Sequence, residues 1–253
     1  MSRVFNGIQN ARLSYDVALT GIGITGTPVL ALAWVKPATL DFNGQIVGCH
    51  TQGGSPNAFH IQLRSLETND PLRFRLVNAA SSTSDATLNN ALSTSAWKLV
   101  AMKYVSSTSR FAGVIDIDGE SVTYGSEQTT SNVINFAALN ILSVGAFYQG
   151  TYGPLWNGKI GQIGLWQGTV PSDANIVTAA SQADWTGLAS AGIIDIWTMN
   201  AAGNETGIVN GITLTNVSAG LDANDNPVFV GPGPSVGDEV LLTNSGVAME
   251  ALP

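Results

Sequence analysis

The chain has one cysteine, Cys49, in 253 residues. No intrachain disulfide can form, so packing alone must hold the fold. Charge is scarce: 11% of residues are Asp, Glu, Lys or Arg, against roughly 25% in an average soluble protein. What charge there is leans negative, with 18 acidic and 10 basic residues and a net charge of −8. Nucleic acid and anionic membrane both need a basic footprint, and both are excluded as partners on that ground. No apolar run reaches the ~18 residues of a transmembrane helix. Met1-Ser2-Arg3-Val4-Phe5-Asn6 has no apolar signal-peptide region, so synthesis in a host cytoplasm without standard export is expected. There are two histidines, His50 and His60, and neither C-x-x-C nor H-x-x-x-H zinc spacing occurs. Nothing reads as a strand–turn–helix nucleophile elbow, which leaves serine-hydrolase chemistry without support.

What the chain does have is a 44% apolar share and short strand patterns between Gly, Ser and Asn. Leu72-Arg73-Phe74-Arg75-Leu76-Val77 alternates with a period of two, placing Leu72, Phe74 and Leu76 inward. Phe59-His60-Ile61-Gln62-Leu63 alternates likewise, and Gly44–His50 reads as a strand with Cys49 as a small buried hydrophobe. Trp97–Tyr104 and Phe111–Ile117 read as strands, with Asp118-Gly119 as a hairpin turn. Residues 79–95 read as a long loop. Pro171–Ile176 reads as a short helix capped by Ser172. Trp34, Trp97, Trp166 and Trp197 sit in strand patterns and are expected in the core. Gly231-Pro232-Gly233-Pro234 ends regular structure. The organisation expected is a lead segment over 1–12, a sandwich over 13–230, and a linker and tail over 231–253.

Two matching strands lie far apart in the chain. They are Leu30-Ala31-Leu32-Ala33-Trp34-Val35-Lys36-Pro37 and Trp156-Asn157-Gly158-Lys159-Ile160-Gly161-Gln162-Ile163-Gly164-Leu165-Trp166. Together with the Trp97–Gly119 stretch, their order resembles the laminin-G-like, concanavalin A-like jelly roll, from about Tyr15 to Thr198. The resemblance implies an all-β, two-sheet antiparallel jelly-roll sandwich with one short helix and an extended C-terminal tail. This sandwich hosts many functions, so the fold does not name one. Similar modules occur in bacteriophage structural proteins. The function expected is therefore a non-catalytic capsid decoration or fibre-like subunit on a virion surface, a homo-oligomer (a trimer in the simplest case) with the apolar tail or the N-terminal lead at the contact, and other virion proteins as partners. A glycan-binding adhesin module is the first alternative and a glycoside hydrolase the second.

Candidate sites are few. Gly21-Ile22-Gly23-Ile24-Thr25-Gly26 spells a dinucleotide motif, but Thr27-Pro28 and a strand follow where a helix is needed. Asp116, Asp118 and Glu120 form the nearest approach to a glycosidase acid cluster, and their place in a hairpin tip reads as a turn. Phe147, Tyr148, Tyr152 and Trp156 are the expected binding surface: aromatic rings among Gln, Thr and Asn suit a surface glycan or a protein partner. No cofactor is expected apart from calcium as a candidate. Asp222, Asn224 and Asp225 offer it loop oxygens, and many laminin-G-like domains bind it. The Gly and Glu of an EF-hand loop are missing there.

Overall fold

The period-two patterns assemble into two antiparallel sheets in a computed structural model. It describes residues 2–7, 11–52, 57–64, 69, 71–115, 121–148, 152–222, 224, 225 and 227. The Asp116–Glu120 tip and the 231–253 tail, with the contact expected of that tail, lie outside the described residues. In chain order the strands are β1 (Ser2–Asn6), β2 (Arg12–Tyr15), β3 (Val29–Pro37), β4 (Asn43–His50), β5 (Ala58–Arg64) and β6 (Leu72–Val77). Then come β7 (Thr83–Leu88), β8 (Lys98–Ser106), β9 (Ser109–Ile115), β10 (Val122–Tyr124), β11 (Ile141–Val144) and β12 (Ala146–Tyr148). The last are β13 (Tyr152–Leu155), β14 (Asn157–Gln167), β15 (Ile193–Trp197), β16 (Glu205–Thr206), β17 (Thr213–Val217) and β18 (Gly220–Asp222), and one helix, α1 (Asp173–Ser181), lies between β14 and β15.

The first sheet runs β10-β9-β8-β3-β14-β1-β18, with β15 also paired to β14. The second runs β16-β17-β2-β11-β4-β5-β6-β7, and β12–β13 is a separate hairpin. The core fills the space between the two sheets and draws on both, for example Val29, Ala31, Phe59, Phe74, Tyr104 and Ile163.

Both matching strands lie at the centre of the first sheet, paired to each other from Gly158↔Pro37 to Gln167↔Val29. β3 is apolar from Val29 to Val35 because both its faces are covered there. Ala31, Ala33 and Val35 face the second sheet. Leu30, Leu32 and Trp34 face an outer layer built from α1 and Trp185. Gly164 is fixed by this outer layer: a Cβ there would sit 2.2 Å from the Trp166 ring and 3.1 Å from Trp185.

Four expectations need correction. Residues 1–12 are no lead segment: β1 pairs with β14 and β18, and buried Arg3 reaches Glu205 at 3.6 Å. A strand whose main-chain groups bond on both edges belongs to the sandwich. The 79–95 loop contains β7, paired along its length with β6. The aromatic loop is the β12–β13 hairpin. Trp97 precedes β8 and is only half-buried, whereas Trp34, Trp166 and Trp197 are core residues, joined by Trp156 and Trp185.

Candidate functional site

Of the four expected aromatic residues, Phe147 and Trp156 are buried. Trp156 is 0% exposed and packs edge-on against Phe42 at 5.3 Å. Phe147 is 6% exposed and lies on the outer face of the second sheet, 4.5 Å from the His60 ring and 5.1 Å from His50. Neither ring can stack on a sugar while so packed. Tyr148 and Tyr152 are register partners in the hairpin.

Beneath Phe147 the outer face of the second sheet is polar yet buried. Ser143 Oγ donates to the Ala146 carbonyl at 2.8 Å. Its one proton is thereby used, so His50 Nε2, 2.7 Å away, is the donor to that oxygen. Gln45 Nε2 also donates to it, at 2.8 Å. His60 Nε2 donates to Gln62 Oε1 at 2.9 Å. Both histidines are therefore neutral, with an Nδ1 that has no hydrogen-bond partner among the described residues. Burial pushes each down to about 3, with the neighbouring histidine adding to the effect on His50. Burial likewise pushes the Cys49 thiol up, leaving it an inert core residue. Gln45 and Ser143 tie the hairpin to the sheet through the Ala146 carbonyl.

The expected calcium loop folds onto the first sheet. Asp225 accepts from Lys159 Nζ at 2.6 Å, Trp97 Nε1 at 2.9 Å and Lys36 Nζ at 3.0 Å. Asp222 pairs with Lys159 at 2.8 Å and caps the backbone of Asn224. The lysine and indole hydrogen bonds hold Asp225 well below the usual carboxylate range. The cationic partner calcium would supply is already present as two ammonium groups, and among the described residues no three His, Cys, Asp or Glu side chains converge. A pocket of about 260 Å³ lies beside this cluster.

A larger cleft, about 360 Å³, opens where the β7–β8 loop meets β9 and β10. Leu88, Leu92 and Val114 supply its apolar wall. Asn89, Asn90, Ser93, Lys98 and Thr123 supply polar groups. The loop is held by the Asn90 N–H to the Asn69 carbonyl, 2.9 Å, with Asn90 in the left-handed region at φ 53°. Asn is among the few residues that tolerate that conformation. The cleft volume lies within the roughly 300–1,000 Å³ of small-ligand sites. Among the described residues, no carboxylate lines it. Sequence reasoning missed this cleft because its loop carries no motif. The signal available was the amide pair Asn89-Asn90 inside a Ser/Thr/Asn-rich stretch.

The fold and cleft together define a two-sheet β-sandwich with a loop-built pocket at one edge. The chain belongs to the Concanavalin A-like lectin/glucanases superfamily, whose model matches residues 17–176, more than half its length. No curated protein sequence matches it. Among solved structures it is similar in fold to the CBM40 of Ruminococcus gnavus IT-sialidase bound to α2,3-sialyllactose, with 16% identity, TM-score 0.51, and 69% of this chain and 96% of that chain covered. It is also similar to the enzymatically active domain of bacteriophage CBA120 tailspike protein 2, with 12% identity, TM-score 0.55, and 78% and 29% covered. The heptameric SAP-like pentraxin of Limulus polyphemus shares the fold at 13% identity and TM-score 0.52, with 88% and 95% covered.

Proposed function

We propose that this chain is a non-catalytic glycan-binding module and that its ligand occupies the 360 Å³ cleft. The observation that carries the proposal is the lining of that cleft. A sugar presents C–H faces and hydroxyl edges, and the cleft pairs an apolar wall with amide, hydroxyl and ammonium groups. Glycoside hydrolysis canonically uses a pair of carboxyl groups flanking the bond, and no carboxylate among the described residues lines the cleft. The sandwich class, shared with a sialidase carbohydrate-binding module, agrees with this proposal.

A glycan array tests it. Wild-type protein should be retained on a subset of glycans, and Asn89→Ala/Asn90→Ala should weaken that retention by about tenfold or more. Retention of nothing, or retention unaffected by the double variant, contradicts it.

A second proposal sets the same module on a virion as a decoration or fibre subunit, most simply a trimer. The low charge, 11%, and a fold shared with a phage tailspike domain favour it. Sedimentation of the full chain reads the copy number.

A further inference from the structure

The chain has four lysines, and three of them are neutralised. Lys36 holds Asp225 at 3.0 Å, Lys103 holds Asp173 at 2.8 Å, and Lys159 holds Asp225 at 2.6 Å. Lys98 differs. It is half-buried at the first position of β8, opposite Val35, and it lines the cleft. Among the described residues its side chain has no ion pair or hydrogen bond. In a protein of net charge −8, cations are scarce and carboxylates plentiful, so a cleft lysine with no carboxylate partner among the described residues stands out.

We infer that the ligand of this cleft is an acidic sugar, whose carboxylate or sulfate meets Lys98 Nζ while Asn89, Asn90, Ser93 and Thr123 take its hydroxyl groups. The inference rests on the proposed glycan-binding function and narrows it. The net negative charge of the protein does not prevent such a contact. Charges beyond the Debye length of about 8 Å are screened at physiological salt, whereas an ammonium in the cleft wall acts at contact distance. Partial burial of Lys98 strengthens that contact over one in bulk water.

The test uses matched probes on the full chain: glucuronic acid against glucose, and galactose 6-sulfate against galactose, each titrated into wild type, Lys98→Gln and Lys98→Arg. Backbone amide shifts report binding, and a melting curve of each variant confirms folding. The expected result is tighter binding of one or both acidic sugars than of their neutral partners. That preference should fall by about tenfold in Lys98→Gln, persist in Lys98→Arg and weaken with added salt. The carboxylate and sulfate arms separate the two anions. Equal binding of neutral and acidic sugars overturns the inference while leaving glycan binding intact. A preference for acidic sugars unchanged in Lys98→Gln overturns the role of Lys98. Binding of no glycan, these probes and the array included, overturns both the inference and the proposed function.

Discussion

His50 and His60 are each 1% exposed, and both meet Phe147. Their folded values, about 3, lie below the roughly 6.5 of an unfolded chain. The unfolded state therefore binds more protons throughout that window. Stability is complete above about pH 6.5 and falls as pH drops towards 3, by up to ~1.4 kcal/mol per pH unit per histidine. Asp173, Asp222 and Asp225 are also depressed, but their contribution is lost only below the ordinary carboxylate value near 4. Urea midpoints at pH 7, 5.5 and 4.5 should decline, and His50→Asn with His60→Gln should flatten the decline. A wild-type midpoint constant across that range would contradict the neutral, buried assignment. Asp195 is the second residue with a sharp consequence. It is 0% exposed and accepts from the backbone N–H of Ile196, Val209, Asn210 and Ile212 at 2.8–3.3 Å. A Cβ on Gly207 would lie 2.0 Å from its carboxyl carbon. Asp195→Ala leaves buried amides without an acceptor and should cost about 3 kcal/mol or more. A loss under about 1 kcal/mol in denaturant melts would show that the loop does not depend on it.

At the scale of elements, the β14–β3 pair and β6 were legible in the sequence because bulky residues mark their periods. The cap of α1 was legible too: Ser172 Oγ accepts from the Asn175 N–H at 3.3 Å. β7 was not. Its inward positions, Ser84 and Ala86, are small and give no hydrophobic period. β1 was hidden because Ser2 and Arg3 are buried despite being polar, and their partners lie some 150–220 residues further on. The β12–β13 hairpin read as an exposed aromatic loop because sequence does not show which face of a sheet a hairpin will cover. The cleft was illegible for a related reason: Asn89 and Lys98 are near in sequence, but Val114 and Thr123 reach them only through sheet pairing. The 222–225 segment carries its own prediction. With Lys36 and Lys159 already on its carboxylates, added calcium should leave the melting temperature unchanged. Asp225→Ala, which opens partly exposed pairs, should cost less than about 1 kcal/mol. A calcium-dependent rise in melting temperature, lost in Asp225→Ala, would restore the loop as a metal site.

The whole molecule is a sandwich with unequal coverage. The first sheet is buried on one side by the second sheet and on the other by α1 and Trp185. The second sheet is covered over the histidines by the β12–β13 hairpin. Among the described residues, a cleft stays open at the edge, where the β7–β8 loop meets β9 and β10. The central claim is that a glycan occupies that edge cleft. Its most direct measurement is a chemical-shift footprint of the wild-type chain saturated with the best-retained glycan. The account predicts shifts concentrated at residues 88–93, Lys98, Val114 and Thr123. Shifts centred on His50, His60 and Phe147, or on Lys36, Lys159 and Asp225, would contradict it.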